Sequence, residues 1–215
     1  MNKYISIGIV VALVILGGWF LKGGKNNQEE NIINSNNQPA SAQGSGEVKE
    51  KIMTATLHTS EGDIAVEFFD KAAPNTVANF IKLAQEGFYD GVKFHRVIKG
   101  FMIQGGDPLS KDDSKMALWG TGGPGYTFAD EIDPKSDLYT KTGYAKGVLA
   151  MAYCGPNTSG SQFFIMTETY PLPPSYTIFG KVDAGQDVVD QIANVKTSAG
   201  VRPVTPVIIH SIVLK

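Results

Sequence analysis

The side chains that most often carry covalent or metal chemistry are sparse in this sequence and poorly grouped. Its three histidines, His58, His95 and His210, stand at no metal-ligand spacing, and each is expected to be a structural, hydrogen-bonded residue. Cys154 is the single cysteine, so it has no internal disulfide partner, and it reads as a small buried thiol. Ser161 lacks the G-x-S-x-G setting of a strained serine nucleophile. The GTGGPG run at 120–125 has the composition of a phosphate cradle but neither the following Lys-Ser/Thr nor a strand-to-helix context, which leaves a turn that packs backbone closely. Asp112-Asp113 reads as a solvated loop rather than a calcium site, and the Asn157-Thr158-Ser159 sequon is too short a match to carry weight. Neither a metal nor a cofactor is expected. Two stretches carry more information than any of these, FHRVIKGFMIQGGD (94–107) and AMAYCGPNTSGSQFFIM (150–166).

The elements that must position these residues are legible from periodicity. Met53–Thr59 and Ile64–Phe69 alternate apolar with polar residues around Glu61-Gly62-Asp63, the pattern of a β-hairpin. Pro74 opens a helix in which Val77, Phe80, Ile81 and Ala84 recur at helical spacing and Gly87 provides a stop. Short apolar runs at 92–98, 101–104, 147–152, 162–167 and 178–182 follow. A second amphipathic helix carries Val188, Val189, Ile192 and Val195, and a last strand covers 207–214. Many short strands with two helices predict a mainly β domain, a closed antiparallel barrel or a sandwich with helices at its ends.

Composition restricts what surrounds that domain. The 215 residues hold 19 Lys+Arg against 21 Asp+Glu, a net charge of −2 that offers no phosphate-neutralising footprint, so nucleic acid is not an expected partner. Of the 18 residues from Tyr4 to Leu21, 14 are hydrophobic and none is charged, so residues 1–22 are expected to form a single transmembrane anchor. The competing reading is a cleaved secretory signal, against which the first small-residue triplet, Ala40-Ser41-Ala42, lies some twenty residues farther on. Lys3 precedes the span and Lys22 and Lys25 follow it. Charge therefore leaves orientation open, and a lone N-terminal span acting as a signal-anchor places the domain on the extracytoplasmic side, or in the secreted fraction if the segment is cleaved. Residues 23–50, rich in Asn, Gln, Ser and Gly, read as a flexible tether, and 51–215 as the folded domain, expected to be a monomer.

The two long stretches together resemble the cyclophilin family of peptidyl-prolyl cis–trans isomerases. The likeness runs from about Thr54 to Leu214 and takes in the GDI hairpin, the PNTVANF helix start, the GTGGPG turn with its FADE sequel and the IFGKV strand. It implies a closed eight-stranded antiparallel barrel capped by two helices, proline-containing polypeptide clients, and catalysis with no cofactor. In the family pattern Arg96 is the catalytic donor to the imide nitrogen. Phe101, Met102 and Phe164 match the proline socket, Gln104 and Gln162 the positions that orient the arginine and hold peptide backbone, and Ala152 and Tyr153 the adjoining groove. Along TETYPLPPSYTIFG (167–180) the likeness weakens: Leu172 and Tyr176 stand where many members carry leucine and histidine, and Pro171 where they carry tryptophan. That loss should weaken cyclosporin-type binding more than turnover. The stretches 108–119 and 134–144 are longer than the corresponding family loops. The rival reading is a membrane-tethered proline-peptide binding module without significant turnover.

Overall fold

The structure, a computed structural model, describes residues 53–199 and 201–215. The expected membrane span at 4–21 and the tether at 23–50 lie outside the described residues, among which no helix is long and apolar enough to cross a membrane. The expected hairpin forms as β1 (Thr54–Thr59) and β2 (Gly62–Phe68). It is followed by helix α1 (Pro74–Gln85), β3 (Arg96–Ile98), β4 (Met102–Gly105), β5 (Val148–Met151), β6 (Phe163–Met166), β7 (Ile178–Ala184), helix α2 (Gln186–Ala193) and β8 (Ile209–Leu214). The strands form one curled antiparallel sheet in the order β3-β4-β6-β5-β7-β2-β1-β8.

The central strands are buried on both faces, so alternate residues serve two cores. In β6, Phe163 and Ile165 join the main core with Leu57, Ile64, Phe80 and Phe179, while Phe164 and Met166 join a smaller one with Met102, Ala150 and Ile178. Both helices turn toward the main core, α1 through Val77 and Phe80 and α2 through Val189 and Ile192. Where β7 runs beside β2, a Cβ on Gly180 would stand 2.5 Å from the Glu67 carbonyl oxygen, a contact that glycine avoids.

The sheet is not the closed barrel expected from the resemblance. β3 and β8 are its two edges, and no ladder joins them. The run expected as one strand over 92–98 instead changes partner at His95. Before it, Phe94 N–H donates to the Val207 carbonyl (2.9 Å) and Ile209 N–H to the Val92 carbonyl (2.8 Å), around a single Lys93–Ile208 bridge. After it, β3 pairs with β4 alone, and the outward Val97 N–H is taken by the Val201 carbonyl (2.7 Å). A three-residue edge strand that has turned away from β8 has no backbone groups left to complete a ladder.

Helix α1 has Pro74 at its first turn, but Ala73 at its N-cap offers no side-chain acceptor. The Glu131 carboxylate takes that place, accepting from Asn75 N–H (3.0 Å), Thr76 N–H (2.8 Å) and the Thr76 hydroxyl (2.7 Å). Burial alone would raise its pKa, yet these donors hold it below the usual carboxylate range. At the other end Gly87, at φ 65°, stops the helix as expected.

Both long connections are ordered. Asp107 caps a 3-10 turn over Pro108–Lys111, and Asp112 caps a second over Asp113–Leu118. The buried Lys93 reaches Asp113 (2.5 Å) and lies 4.8 Å from the Trp119 ring, with Arg202 5.0 Å from the same ring. Asp112 and Asp113 are thus spent on a turn and an ion pair. The second connection contains a π turn over Leu138–Thr142.

Candidate active site

Register brings the two quoted stretches together. In the β3–β4 pair Arg96 stands opposite Gln104, and in the β4–β6 pair Gln104 stands opposite Phe164 and Met102 opposite Met166. Gln162, just before β6, is thereby carried alongside Gln104. The side chains form a chain of hydrogen bonds: Arg96 Nη1 donates to Gln104 Oε1 (3.1 Å), and Gln104 Nε2 donates to Gln162 Oε1 (3.0 Å). Gln162 Nε2 in turn donates to the carbonyls of Gly120 (3.0 Å) and Gly122 (2.8 Å). This network fixes which end of each amide is oxygen.

The turn that supplies those carbonyls is held by Asp107, a fully buried carboxylate. It accepts from Leu109 N–H at 2.8 Å and from Gly120 N–H. Gly122 packs so tightly on Asp107 and Leu109 that a Cβ would overlap both, so the GTGGPG run is the close-packing turn its composition implied. Sequence reasoning assigns no role to Asp107, although it closes the first quoted stretch; the available signal is a lone acid between Gly105-Gly106 and Pro108, followed by the glycine-rich run that folds back on it.

Arg96 is exposed, forms no ion pair among the described residues, and spends one donor on a neutral amide. Its charge and most of its donor fork remain available. Partial desolvation lowers its pKa, opposed by neighbouring Tyr176, yet a guanidinium stays protonated at physiological pH.

Beside the arginine lies an apolar cluster. Met102 and Phe164 are buried, and Phe101, Ala152, Leu172 and Tyr176 are half-buried against the same cluster. The Tyr176 ring meets Phe164 edge-on at 5.4 Å and 88°, and lies 4.9 Å from the Tyr153 ring. Phe101 is met by the exposed Tyr170 ring at 4.8 Å. All ten site residues anticipated from the sequence therefore fall in one region: Arg96, Gln104 and Gln162 through hydrogen bonds, the others through the apolar cluster or, for Tyr153, through Tyr176. Ala152 and Gln162 also border a hollow of about 150 Å³ shared with Gly122, Pro124 and Tyr126.

Two expectations fail nearby. Cys154 is exposed rather than buried, because the loop after β5 turns outward and its backbone N–H is held by the Thr158 hydroxyl (2.9 Å). His58 has the expected partner, Asp63 at 2.8 Å, but buried His95 has none for either ring nitrogen. Burial pushes the His95 pKa down to about 4, against the pull of Asp107. Ser161 is also buried and donates to the Gly106 carbonyl at 2.7 Å, which removes it as a nucleophile.

An exposed guanidinium, two oriented amides and an adjoining apolar cluster thus stand side by side, an arrangement suited to holding a peptide. Residues 54–214 match the family model described as cyclophilin type peptidyl-prolyl cis-trans isomerase. The chain is 48% identical over 179 residues to a probable peptidyl-prolyl cis-trans isomerase A of Mycobacterium leprae, covering 75% of this chain and 91% of that protein. It is 47% identical over 154 residues to a peptidyl-prolyl cis-trans isomerase of Synechococcus elongatus, covering 70% and 96%. Crystal structures of a cyclophilin type peptidyl-prolyl cis-trans isomerase of Cryptosporidium parvum superpose with a TM-score of 0.67 at 35% identity, covering 76% of this chain and 98% of that one. A second, determined in the presence of the dipeptide Ala-Pro, gives 0.66 at 36% identity, covering 75% and 98%. This chain belongs to the cyclophilin-type peptidyl-prolyl cis–trans isomerases and is an isomerase of X-Pro peptide bonds in proline-containing substrates.

Proposed function

We propose that Arg96 accelerates rotation about the X-Pro bond by donating to the imide nitrogen as its lone pair localises. The barrier of ~18–20 kcal/mol comes from delocalisation of that lone pair into the carbonyl. It falls when a donor stabilises the twisted form more than the planar one. Phe101, Met102 and Phe164 receive the pyrrolidine ring, whose flat apolar faces suit aromatic and thioether surfaces. Gln104 and Gln162 orient the guanidinium, and Ala152, Tyr153, Leu172 and Tyr176 line the flanking groove. The observation that carries this reading is the unbroken Arg96–Gln104–Gln162 hydrogen-bond chain running beside the apolar cluster.

Ala-Pro peptides are a suitable probe, since a relative was crystallised in the presence of that dipeptide. The test is cis–trans exchange of an Ala-Pro peptide followed by NMR, with the full chain and its Arg96→Ala variant. The expected result is strong acceleration by the chain and loss of rate far exceeding loss of affinity in the variant. Binding without acceleration would instead make the domain a proline-peptide binding module.

The apolar run at 4–21 supports a further reading, that the enzyme is a monomer held at a membrane by one span and the 23–50 tether, facing the extracytoplasmic side and assisting the folding of nearby clients. Recovery in the soluble fraction of cells expressing the full chain would count against the anchor.

A further inference from the structure

The connection over 134–144 places two phenols in the apolar cluster that holds Tyr176. Tyr139 Oη donates to the Tyr176 carbonyl (3.1 Å) and accepts from Ile178 N–H (3.0 Å). Tyr144 Oη lies 2.9 Å from both the carbonyl and the N–H of Tyr176, donating to the one and accepting from the other. Both polar groups of the Tyr176 peptide backbone are thus satisfied by side chains that come from 32 or more residues away.

No ladder does this work at Tyr176. The segment leading to it contains Pro173 and Pro174 and carries the tight turns Leu172 N–H to Tyr170 O (2.8 Å) and Ser175 N–H to Pro173 O (2.7 Å), with Tyr170 N–H donating to the Tyr144 carbonyl (3.1 Å); β7 starts two residues later. Prolines withhold N–H donors and irregular backbone has no strand partner, so the segment's position depends on what its remaining groups can find. Tyr144 is 4% exposed and its ring stands edge-on to that of Tyr176 at 6.0 Å and 86°, while Tyr139 meets Tyr144 at 6.3 Å. Burial pushes both phenols' pKa values up, so each remains a donor.

We infer that Tyr139 and Tyr144 are positioning residues of the isomerase: their hydroxyls fix the Tyr176 backbone, and through it the ring that packs against Phe164 and Tyr153 in the apolar cluster. The 134–144 connection is therefore part of the substrate-recognition machinery. This rests on the reading of Tyr176 as a groove residue. Neither phenol touches substrate; each acts on how well the cluster fits a proline-bearing segment, which is uniform binding and is read in KM more than in kcat.

The experiment measures kcat and KM for Ala-Pro peptide isomerisation by the full chain and by Tyr139→Phe, Tyr144→Phe and Tyr176→Ala, together with each Phe change in the Tyr176→Ala background. Phenylalanine keeps the ring and removes only the hydroxyl. Each Phe variant should raise KM about fivefold, about 1 kcal/mol, with kcat within about twofold. Neither should have further effect once Tyr176 is alanine. A loss of general stability would lower the amount of folded protein without this KM-selective, Tyr176-dependent pattern. Should Tyr144→Phe not fold, Tyr139→Phe carries the same test. If Tyr176→Ala raises KM while both Phe variants leave it unchanged, or if the Phe effects persist in full without Tyr176, the positioning role is wrong. If Tyr176→Ala itself changes nothing, the groove assignment of Tyr176 has failed, and the role of the two phenols with it.

Discussion

The two walls of the site are built by opposite means. On the arginine side, Arg96, Gln104 and Phe164 project from paired strands whose register places them side by side, and a relay of neutral amides runs back to the Gly120–Gly122 turn. On the tyrosine side, Leu172 and Tyr176 come from a proline-containing segment with no ladder of its own, held by phenol hydroxyls. Under the proposed mechanism, sheet register sets the cation that meets the imide nitrogen, whereas irregular backbone sets the wall that faces the variable parts of a client. Substitutions on the arginine side should change turnover and those on the tyrosine side affinity.

Arg96→Ala breaks this contrast most sharply. Removing one positioned donor to developing charge typically costs about 10²–10³ in rate. The exchange rate at saturating peptide should fall by about that factor, with peptide affinity from titration changing far less. An equal loss in both would erase the distinction between the walls.

His95, next in chain to the arginine, sharpens the comparison through pH. The folded protein keeps its imidazole neutral down to about 4, whereas an unfolded chain protonates it near 6.5. Between those values the unfolded state binds the extra proton, so acidification should lower stability by up to about 3 kcal/mol and leave it flat above 6.5 as far as this group is concerned. Urea unfolding across pH 4–7.5 measures this, and the slope should disappear in His95→Leu. Turnover should not follow the same curve, because Arg96 holds its charge throughout.

Asp107→Asn is the smaller perturbation. An amide cannot accept from both Leu109 and Gly120, so one buried donor loses its partner at about 1–3 kcal/mol. The urea midpoint should drop accordingly. The exchange rate should fall about tenfold with KM little altered, because the Gly120 carbonyl that orients Gln162 moves. A rise in KM with unchanged kcat would assign this turn to the tyrosine side of the comparison.

The sequence reveals the arginine side more fully than the tyrosine side, for a physical reason. Arg96, Gln104, Met102 and Phe164 are named from the family resemblance of two contiguous stretches, 94–107 and 150–166, and strand register converts those local signals into adjacency; alternation alone leaves them core or surface residues. The hold of Tyr139 and Tyr144 on Tyr176 spans 32 residues or more and follows no period, and Asp107 acquires its role only when residues 120–122 fold against it. The partner switch at His95, which leaves the sheet open, was hidden because the apolar pattern continues through it. Exposure of Cys154 depends on a loop path that composition does not encode.

Glu131 gives the molecule an order of assembly. The first turn of α1 takes its cap from a residue 55 positions farther along the chain, and the N–H of that same residue is bound by the Thr177 hydroxyl at 2.9 Å. As the chain emerges during synthesis at about 5–20 residues per second, α1 must wait several seconds for its acceptor. The cap in turn is seated only when the segment bearing Tyr176 arrives. The start of the first helix and the segment bearing Tyr176 are thus tied through one residue, and a nascent chain stopped short of residue 177 would lack the hydroxyl that holds the Glu131 backbone.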